Sequence, residues 1–260
     1  MMRMVIVLNK TKPTDLALAI SDFLFQHLPV QKGLQENSVK SYTDAISLFL
    51  LYCESALGLK REKMAIKDIN CQMVEDFLDW LESERNNSPR SRNQRKAALN
   101  TFFKYLQRKH PAHILLFQEI KAIPRKKLAV QSVKHLSTEA VSALLAQPSL
   151  NTRMGRRNFA ILALLYEAGA RVSEIVGLTI GDLRFSRNGA SLFLRGKGGK
   201  TREVPIMNSV ATFIKQYLAE EAERRSCLKS DILFCNRNNK KLTRAGIAYV
   251  LKEHLGVLPK

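Results

Sequence analysis

An arginine follows directly on a predicted helix end in the stretch GARVSEIVGL, residues 169–178. Gly169 suits the left-handed conformation that ends helices, and Ser173 can cap a second helix that begins at once. Arg171 then lies at the break, with Glu174 in the first turn of the second helix as a local ionic partner. A guanidinium held by a carboxylate presents a planar fork that matches two oxygens of one phosphate. Arg171 is therefore a candidate anion ligand, and an ordinary surface charge beside a helix cap is the alternative.

A lysine flanked by glycines is the second residue of chemical interest. Lys197 lies in RGKGGKTR, between residues 191–195 and 201–206, which alternate as the two strands of a hairpin do. Glycines allow the backbone to approach a ligand closely, and an ammonium group there supplies a proton or a point charge. A solvated turn is the alternative interpretation.

The histidines and cysteines predict no metal site. His110 and His113 in HPAH are separated by a proline that breaks the helix needed to align them. The cysteines form no CxxC pair and no zinc spacing, which favours reduced thiols and a cytoplasmic location; they are Cys53, Cys71, Cys227 and Cys235. We expect no metal and no other cofactor, and no apolar run is long enough to span a membrane.

The charge of the chain points to a polyanionic partner. It has 42 Lys and Arg against 23 Asp and Glu, a net charge of +19. Such a charge is typical of nucleic-acid binding, with an anionic membrane surface less favoured. Between Arg85 and His135 there are 13 Lys and Arg and a single acid, Glu119. We expect this block to follow a phosphate backbone, with mere solubility as the alternative; its candidate contacts are Arg90, Arg92, Arg95, Lys96, Arg125, Lys126 and Lys127.

Helical periodicity organises the first half of the chain. Apolar residues recur at helical spacing in four segments, around residues 16–28, 38–55, 71–84 and 99–106. These predict a four-helix domain over residues 14–110, preceded by a lead segment, 1–13. Residues 111–134 contain Pro111, Pro124 and the basic cluster RKK, and they are predicted to form a linker.

The second half, residues 135–260, mixes helices with the predicted hairpin. Helical patterns cover residues 136–147, 159–168, 210–223 and 243–255, on either side of the two strand-like runs. The expected fold class is mainly α with a small antiparallel β-sheet.

Three stretches then carry a family resemblance. LLYEAGARVSEIVGLTIGDL, RGKGGKTREVPI and DILFCNRNNKKLTRAGI, in this order, resemble the catalytic domain of the tyrosine recombinase (phage integrase) family. The first half is similar to the N-terminal core-binding (SAM-like) domain of that family. The resemblance extends over nearly the whole chain from about Thr14, and it implies a helical core-binding domain followed by a partial α+β catalytic domain.

The resemblance also implies roles for residues. Arg171 corresponds to the first catalytic arginine, which binds the non-bridging oxygens of the scissile phosphate, and Glu174 to the acid that supports it. Lys197 corresponds to the hairpin lysine, a general acid toward the leaving 5′-oxygen. Lys200 and Arg202 match basic positions that contact the DNA backbone. Phosphoryl transfer of this kind needs charge stabilisation and a proton donor, and the family performs it without metal.

One part of the family pattern has no counterpart. The next motif is His-x-x-Arg, followed by the nucleophilic tyrosine, but the third residue after His254 is Val257. Tyr249 reads as a core residue of the last helix, and no residue is assigned as nucleophile. The resemblance, with this motif missing, implies a DNA-binding protein of site-specific recombination from a mobile element, truncated and catalytically incomplete.

Two other functions remain open. The chain could be a non-cleaving regulator that occupies recombination sites, with a complete recombinase as partner on the same site. It could also be an unrelated basic helical protein that binds nucleic acid. Double-stranded DNA is the expected partner, and a membrane is not.

Overall fold

The chain divides into two units, Met1–Ser132 and Val133–Lys260, and each has its own hydrophobic core. The computed structural model describes residues 12–129 and 135–256. The predicted lead segment therefore lies almost entirely outside the described residues. Within the described ranges, no helix combines the length and apolar character needed to cross a membrane.

Helices make up most of the described part of the first unit, residues 12–129. Helix α1 (Asp15–Asp22) continues as a π-helical segment (Phe23–Gln31) that contains Pro29. It is followed by α2 (Glu36–Leu57), α3 (Cys71–Ser83), α4 (Pro89–Lys109) and α5 (Ile114–Ala122).

Side-chain caps set the starts of three of these helices. Thr14, Asn70 and Ser88 each accept a hydrogen bond from the backbone N–H three residues later, which satisfies a donor that the first turn leaves unpaired. Gly58, at φ 68°, ends α2 in the left-handed conformation that glycine adopts without strain. The predicted helices at 38–55 and 71–84 are confirmed.

Part of the predicted linker forms a helix. Residues 114–122 form α5, and its Phe117 and Ile120 are fully buried in the core of the first unit. The ring of Phe117 stacks on Phe103 of α4, with the centroids 5.8 Å apart. Ile123, just after the helix, is buried in the same core, and the prolines at 111 and 124 lie on either side of this docked segment.

The second unit combines helices with a three-stranded sheet. Its helices are α6 (Thr138–Leu145), α7 (Arg153–Glu167), α8 (Val172–Gly177), α9 (Asn208–Ala222) and α10 (Arg244–Leu255). The strands β1 (Leu183–Ser186), β2 (Gly189–Arg195) and β3 (Thr201–Ile206) pair antiparallel in the order β1-β2-β3. This confirms the predicted fold class.

The β2–β3 hairpin agrees with its sequence signal. Leu192 and Leu194 of β2 are fully buried, while Gly198 and Gly199 in the turn have φ of 78° and 74°. Only glycine adopts these values readily, which explains the GG pair. Strand β1 was not predicted, because a four-residue strand with a single buried residue, Leu183, carries almost no alternation.

Candidate functional site

Arg171 lies where two helices of the second unit meet. Helix α7 ends at Glu167, and Gly169, at φ 53°, turns the chain. Arg171 itself is extended, at φ −72° and ψ 150°, and α8 begins at Val172. The predicted cap at Ser173 is wrong, because Ser173 lies inside the helix. Instead the Glu174 carboxylate accepts the backbone N–H of Arg171 at 2.8 Å.

Glu174 is the centre of the site. Its side chain is 3% exposed, and its two oxygens accept four hydrogen bonds. Two come from Arg171, the backbone N–H and Nη1, at 2.8 and 2.9 Å. The other two come from Arg202, Nη1 and Nη2, at 2.8 and 2.9 Å. A carboxylate offers about four acceptor positions, so Glu174 is saturated.

These bonds keep Glu174 ionised. The hydrogen bonds from Arg202, and then those from Arg171, lower the pKa of Glu174 to about 2 against the opposing effect of burial. Bonding to the same carboxylate raises the pKa of Arg202. The cluster therefore carries two cations and one anion at neutral pH.

Arg171 keeps binding capacity for an external anion. Its side chain is 67% exposed, although Nη1 is held by Glu174. Within residues 135–256, its Nε and Nη2 donate to no other residue. A guanidinium with one edge fixed and the other edge open toward solvent has the donor arrangement that a phosphate needs.

Arg202 has a different environment from the one its sequence position suggested. Besides both oxygens of Glu174, it reaches the Gly169 carbonyl through Nη2 at 3.3 Å. Its side chain is 40% exposed, but the fork of its guanidinium faces the protein. A DNA backbone contact for Arg202 stays a prediction; the observed contacts belong to the Glu174 cluster.

The hairpin turn lies against this cluster. A Cβ placed on Gly196 would lie 3.5 Å from Glu174 Oε1 and 3.8 Å from Arg171 Nη1. The next residue in the chain is Lys197, whose side chain lies outside the described part of the structure. Lys200 is exposed at the end of the turn, where its carbonyl accepts the Gly196 N–H at 2.8 Å. The fold thus brings the two sequence-predicted motifs together.

A second ion pair, which the sequence did not indicate, anchors the same hairpin. Arg195 Nη2 donates to Asp182 Oδ1 at 3.0 Å, and Asp182 is almost buried. Asp182 is held in turn by the backbone N–H and the hydroxyl of Thr179, both at 2.8 Å. Arg195 is cross-strand partner to Thr201, one residue from Arg202 on β3.

The basic block of the first unit divides into exposed and buried residues. Arg90, Arg125 and Lys127 are exposed and Arg95 is half-buried, so a phosphate contact for these four stays a prediction. Arg92 and Lys96 are only 6% and 2% exposed, contrary to the expectation that they follow a phosphate backbone.

The two buried residues, Arg92 and Lys96, interact with charged groups of the first unit. Arg92 lies 3.4 Å from Glu82 and 3.7 Å from Asp79 on α3. Burial, and then the nearby charges of Arg125 and Arg92, lower the pKa of Lys96. Helical spacing could have revealed this, since residues 92, 96, 99, 103 and 106 all lie on one face of α4, the face that carries Leu99 and Phe103 into the core.

Lys126 is tied to the first unit. Its backbone N–H and carbonyl pair with the Asn93 side-chain amide at 3.1 and 2.8 Å, and its ammonium pairs with Glu82.

Tyr249, expected in the core of the last helix, is instead 65% exposed.

Comparisons with known proteins agree with this architecture. Residues 134–256 match the model of the phage integrase family, and residues 21–112 match that of the phage integrase N-terminal SAM-like domain. A candidate integrase/recombinase of Sinorhizobium fredii, y4rC, is 34% identical over 244 residues, 94% of this chain and 72% of that protein. Tyrosine recombinase XerC of Myxococcus xanthus is 31% identical over 235 residues, 87% of this chain and 74% of that protein.

Solved structures share the fold. The XerH site-specific recombinase in its post-cleavage complex with palindromic difH substrate has a TM-score of 0.61 at 20% identity, and the match covers 86% of this chain and 64% of that chain. A lambda integrase tetramer bound to a Holliday junction has a TM-score of 0.62 at 13% identity, over 94% of this chain and 67% of that one. At these identities the likeness shows the fold alone.

The family models and the curated relatives exclude the alternative that the chain is an unrelated basic helical protein. The N-terminal domain model matches the first half and the phage integrase model matches the second half, in the order that the sequence resemblance implies. The chain belongs to the tyrosine recombinase (phage integrase) family.

Proposed function

We propose that this chain binds double-stranded DNA in site-specific recombination and that Arg171 holds a phosphodiester of the bound DNA. The observation that carries the proposal is the arrangement of Arg171, fixed on one edge by the saturated Glu174 carboxylate and 67% exposed. Family membership, the net charge of +19 and the DNA complexes of XerH and lambda integrase support it.

The chemistry of the site follows from its charge. A phosphodiester carries one negative charge spread over two non-bridging oxygens, and the open edge of a guanidinium can donate to one or both of them. Because Glu174 takes only Nη1 of the Arg171 side chain, the incoming anion can bind the other donors, Nε and Nη2, without displacing it. Phosphoryl transfer concentrates charge on these oxygens, so a fixed guanidinium stabilises the transition state more than the ground state.

We assign the proton donor to Lys197. A Cβ built on Gly196 would lie within van der Waals distance of Glu174 and Arg171, which supports a place for the following residue beside the same phosphate. An ammonium group there can protonate the leaving 5′-oxygen, which otherwise departs as an unstable alkoxide.

The remaining groups of a complete site are not among these residues. None of the five histidines is followed by an arginine three positions later, and all six tyrosines lie within helices. Without a nucleophile at the phosphate no covalent intermediate forms. We therefore propose that these 260 residues, acting alone, hold a phosphodiester without cutting it.

The test uses DNA selected by the protein itself. A duplex library with a randomised central segment is enriched on the purified 260-residue chain, and the best binder is labelled and nicked so that cleavage would trap a covalent complex. We expect a shifted complex on a native gel and no slow-migrating species on a denaturing gel.

The contrary result is a covalent species. If one forms and disappears in Tyr166→Phe or Tyr249→Phe, the two exposed tyrosines, a nucleophile is present and the non-cleaving part of the proposal is wrong. If no duplex is enriched over a pool passed through beads alone, the DNA-binding part fails as well.

A further inference from the structure

We propose that Arg202 is a positioning residue, which orients Arg171 through Glu174 and ties the β2–β3 hairpin to the turn that carries Arg171. This inference rests on the proposed function, because it concerns the residue that we assign to the phosphate. It replaces a direct contact between Arg202 and DNA with an indirect role.

The first step of the argument is the sharing of Glu174. Of the four hydrogen bonds on its carboxylate, Arg202 supplies two, one to each oxygen. A bidentate pair fixes the plane of the carboxylate, and that plane decides where Arg171 Nη1 finds its acceptor. Without Arg202 the carboxylate keeps both bonds from Arg171 but loses two of the four contacts that hold its orientation.

The second step is the contact of Arg202 with the other side of the turn. Its Nη2 also donates to the carbonyl of Gly169, two residues before Arg171. Arg202 therefore bonds to a residue before Arg171 and to a residue after it, while Arg171 itself stays open to solvent. This geometry constrains the backbone from which the Arg171 side chain projects.

The third step is the connection to the hairpin. Arg202 is paired with Leu194 across the β2–β3 ladder, so its anchor on Glu174 also sets the position of the turn at Gly196. The same residue thereby fixes the distance between the turn and Arg171. Lysine cannot replace it, because a single ammonium cannot donate in parallel to both carboxylate oxygens and to a carbonyl.

The test compares variants that keep the charge with variants that remove it. We measure the affinity of Arg202→Lys, Arg202→Ala and Arg171→Ala for the selected duplex, and of Arg195→Lys as a matched control. Arg195 forms the other ion pair of the hairpin, with Asp182, and does not touch Arg171. Thermal unfolding of every variant sets a binding temperature at which all are folded.

We expect Arg202→Lys to lose affinity by on the order of tenfold, close to Arg202→Ala and Arg171→Ala, while Arg195→Lys stays within about twofold of the unmodified chain. In the Arg171→Ala background, Arg202→Lys should change affinity by less than about twofold, because the residue through which it acts is gone.

Three outcomes overturn the inference or its basis, and they are distinguishable. If Arg202→Lys binds normally and Arg202→Ala does not, Arg202 is a direct electrostatic contact. If Arg202→Lys weakens binding equally with and without Arg171, it damages the hairpin in general. If Arg171→Ala binds like the unmodified chain, the proposed function itself fails.

Discussion

At the level of single residues, the candidate site is organised around one buried carboxylate, that of Glu174. Glu174 is hidden and saturated, whereas Arg171 beside it is 67% exposed. A buried carboxylate is tolerated only when it is paired and hydrogen-bonded, and here the two arginines meet that requirement. Glu174 is thus buried in a position where its hydrogen bonds fix the orientation of the Arg171 side chain.

Replacing the carboxylate by an amide tests this dependence. Glu174→Gln keeps the size of the side chain but removes the charge and turns one acceptor into a donor that faces a guanidinium. We expect a loss of about 1–3 kcal/mol in the free energy of unfolding, measured by urea denaturation. Glu203→Gln, an exposed position next to Arg202 on β3, is the matched control and should change stability little. Equal stability of the two variants would contradict the central place of Glu174.

The same variant gives a pH prediction. The pKa of Glu174 is lowered to about 2 in the folded chain from its ordinary 4.5. A lowered folded pKa means that the stabilisation is fully present above about pH 4.5 and is lost as the pH falls toward 2. The difference in unfolding free energy between the unmodified chain and Glu174→Gln should therefore be constant from neutral pH to about pH 5 and shrink below it. A difference that has already vanished at about pH 4 would contradict the ion-pair account.

At the level of elements, the sequence predicted what has a clear period or a specific turn residue. Helices α2 and α3 and the β2–β3 hairpin follow from apolar spacing and from the glycine pair at 198 and 199. It did not predict α5, which has only one helical turn of core contact, or β1, which is too short to alternate.

The part of the candidate site that was predicted from the sequence is the part that local spacing determines. Arg171 and Glu174 are three residues apart on a helix start, so local sequence places them together. Arg202 meets them only through the fold, 28 residues from Glu174, and spacing alone could not show it. Arg92 and Lys96 were expected to be exposed because they are charged, although their spacing places them on the buried face of α4.

Charge reversal on the first unit should separate exposed from buried basic residues. Changing Arg90, Arg125 and Lys127 together to Glu should weaken duplex binding without loss of fold, since all three are exposed. If each contacts one phosphate, the slope of log affinity against log salt should fall by about 2–3. Arg92→Glu with Lys96→Glu should instead lower thermal stability, because both charges would be reversed inside the core.

The control for this prediction is another exposed triple. Changing Lys60, Lys63 and Lys67 to Glu alters the net charge by the same amount outside the basic block. If this triple weakens binding as much as the first, net charge alone explains the affinity and the basic block has no special role.

At the scale of the whole molecule, the net charge leads to a prediction about salt dependence. A net charge of +19 on 260 residues predicts that counterion release dominates duplex affinity. If six or more phosphates are neutralised, affinity should fall by ~10³ or more between about 50 and 200 mM salt, measured by fluorescence anisotropy. Affinity that is flat across this range would be incompatible with backbone binding.

Both units supply part of that charge, and only the second contains the Arg171 cluster. The general electrostatic contribution and the specific phosphate contact are therefore separable, since removing one arginine changes the net charge by one but removes a positioned donor pair. Arg224, exposed just after α9 and outside the cluster, provides a change of equal charge.

The most direct measurement is the affinity of Arg171→Ala and Arg224→Ala for the selected duplex at one fixed salt concentration. We predict that Arg171→Ala loses on the order of tenfold and that Arg224→Ala stays within about twofold, because only Arg171 is held by Glu174 with an open edge toward the phosphate. Equal affinities of the two variants would show that Arg171 is an ordinary surface charge and would contradict the account.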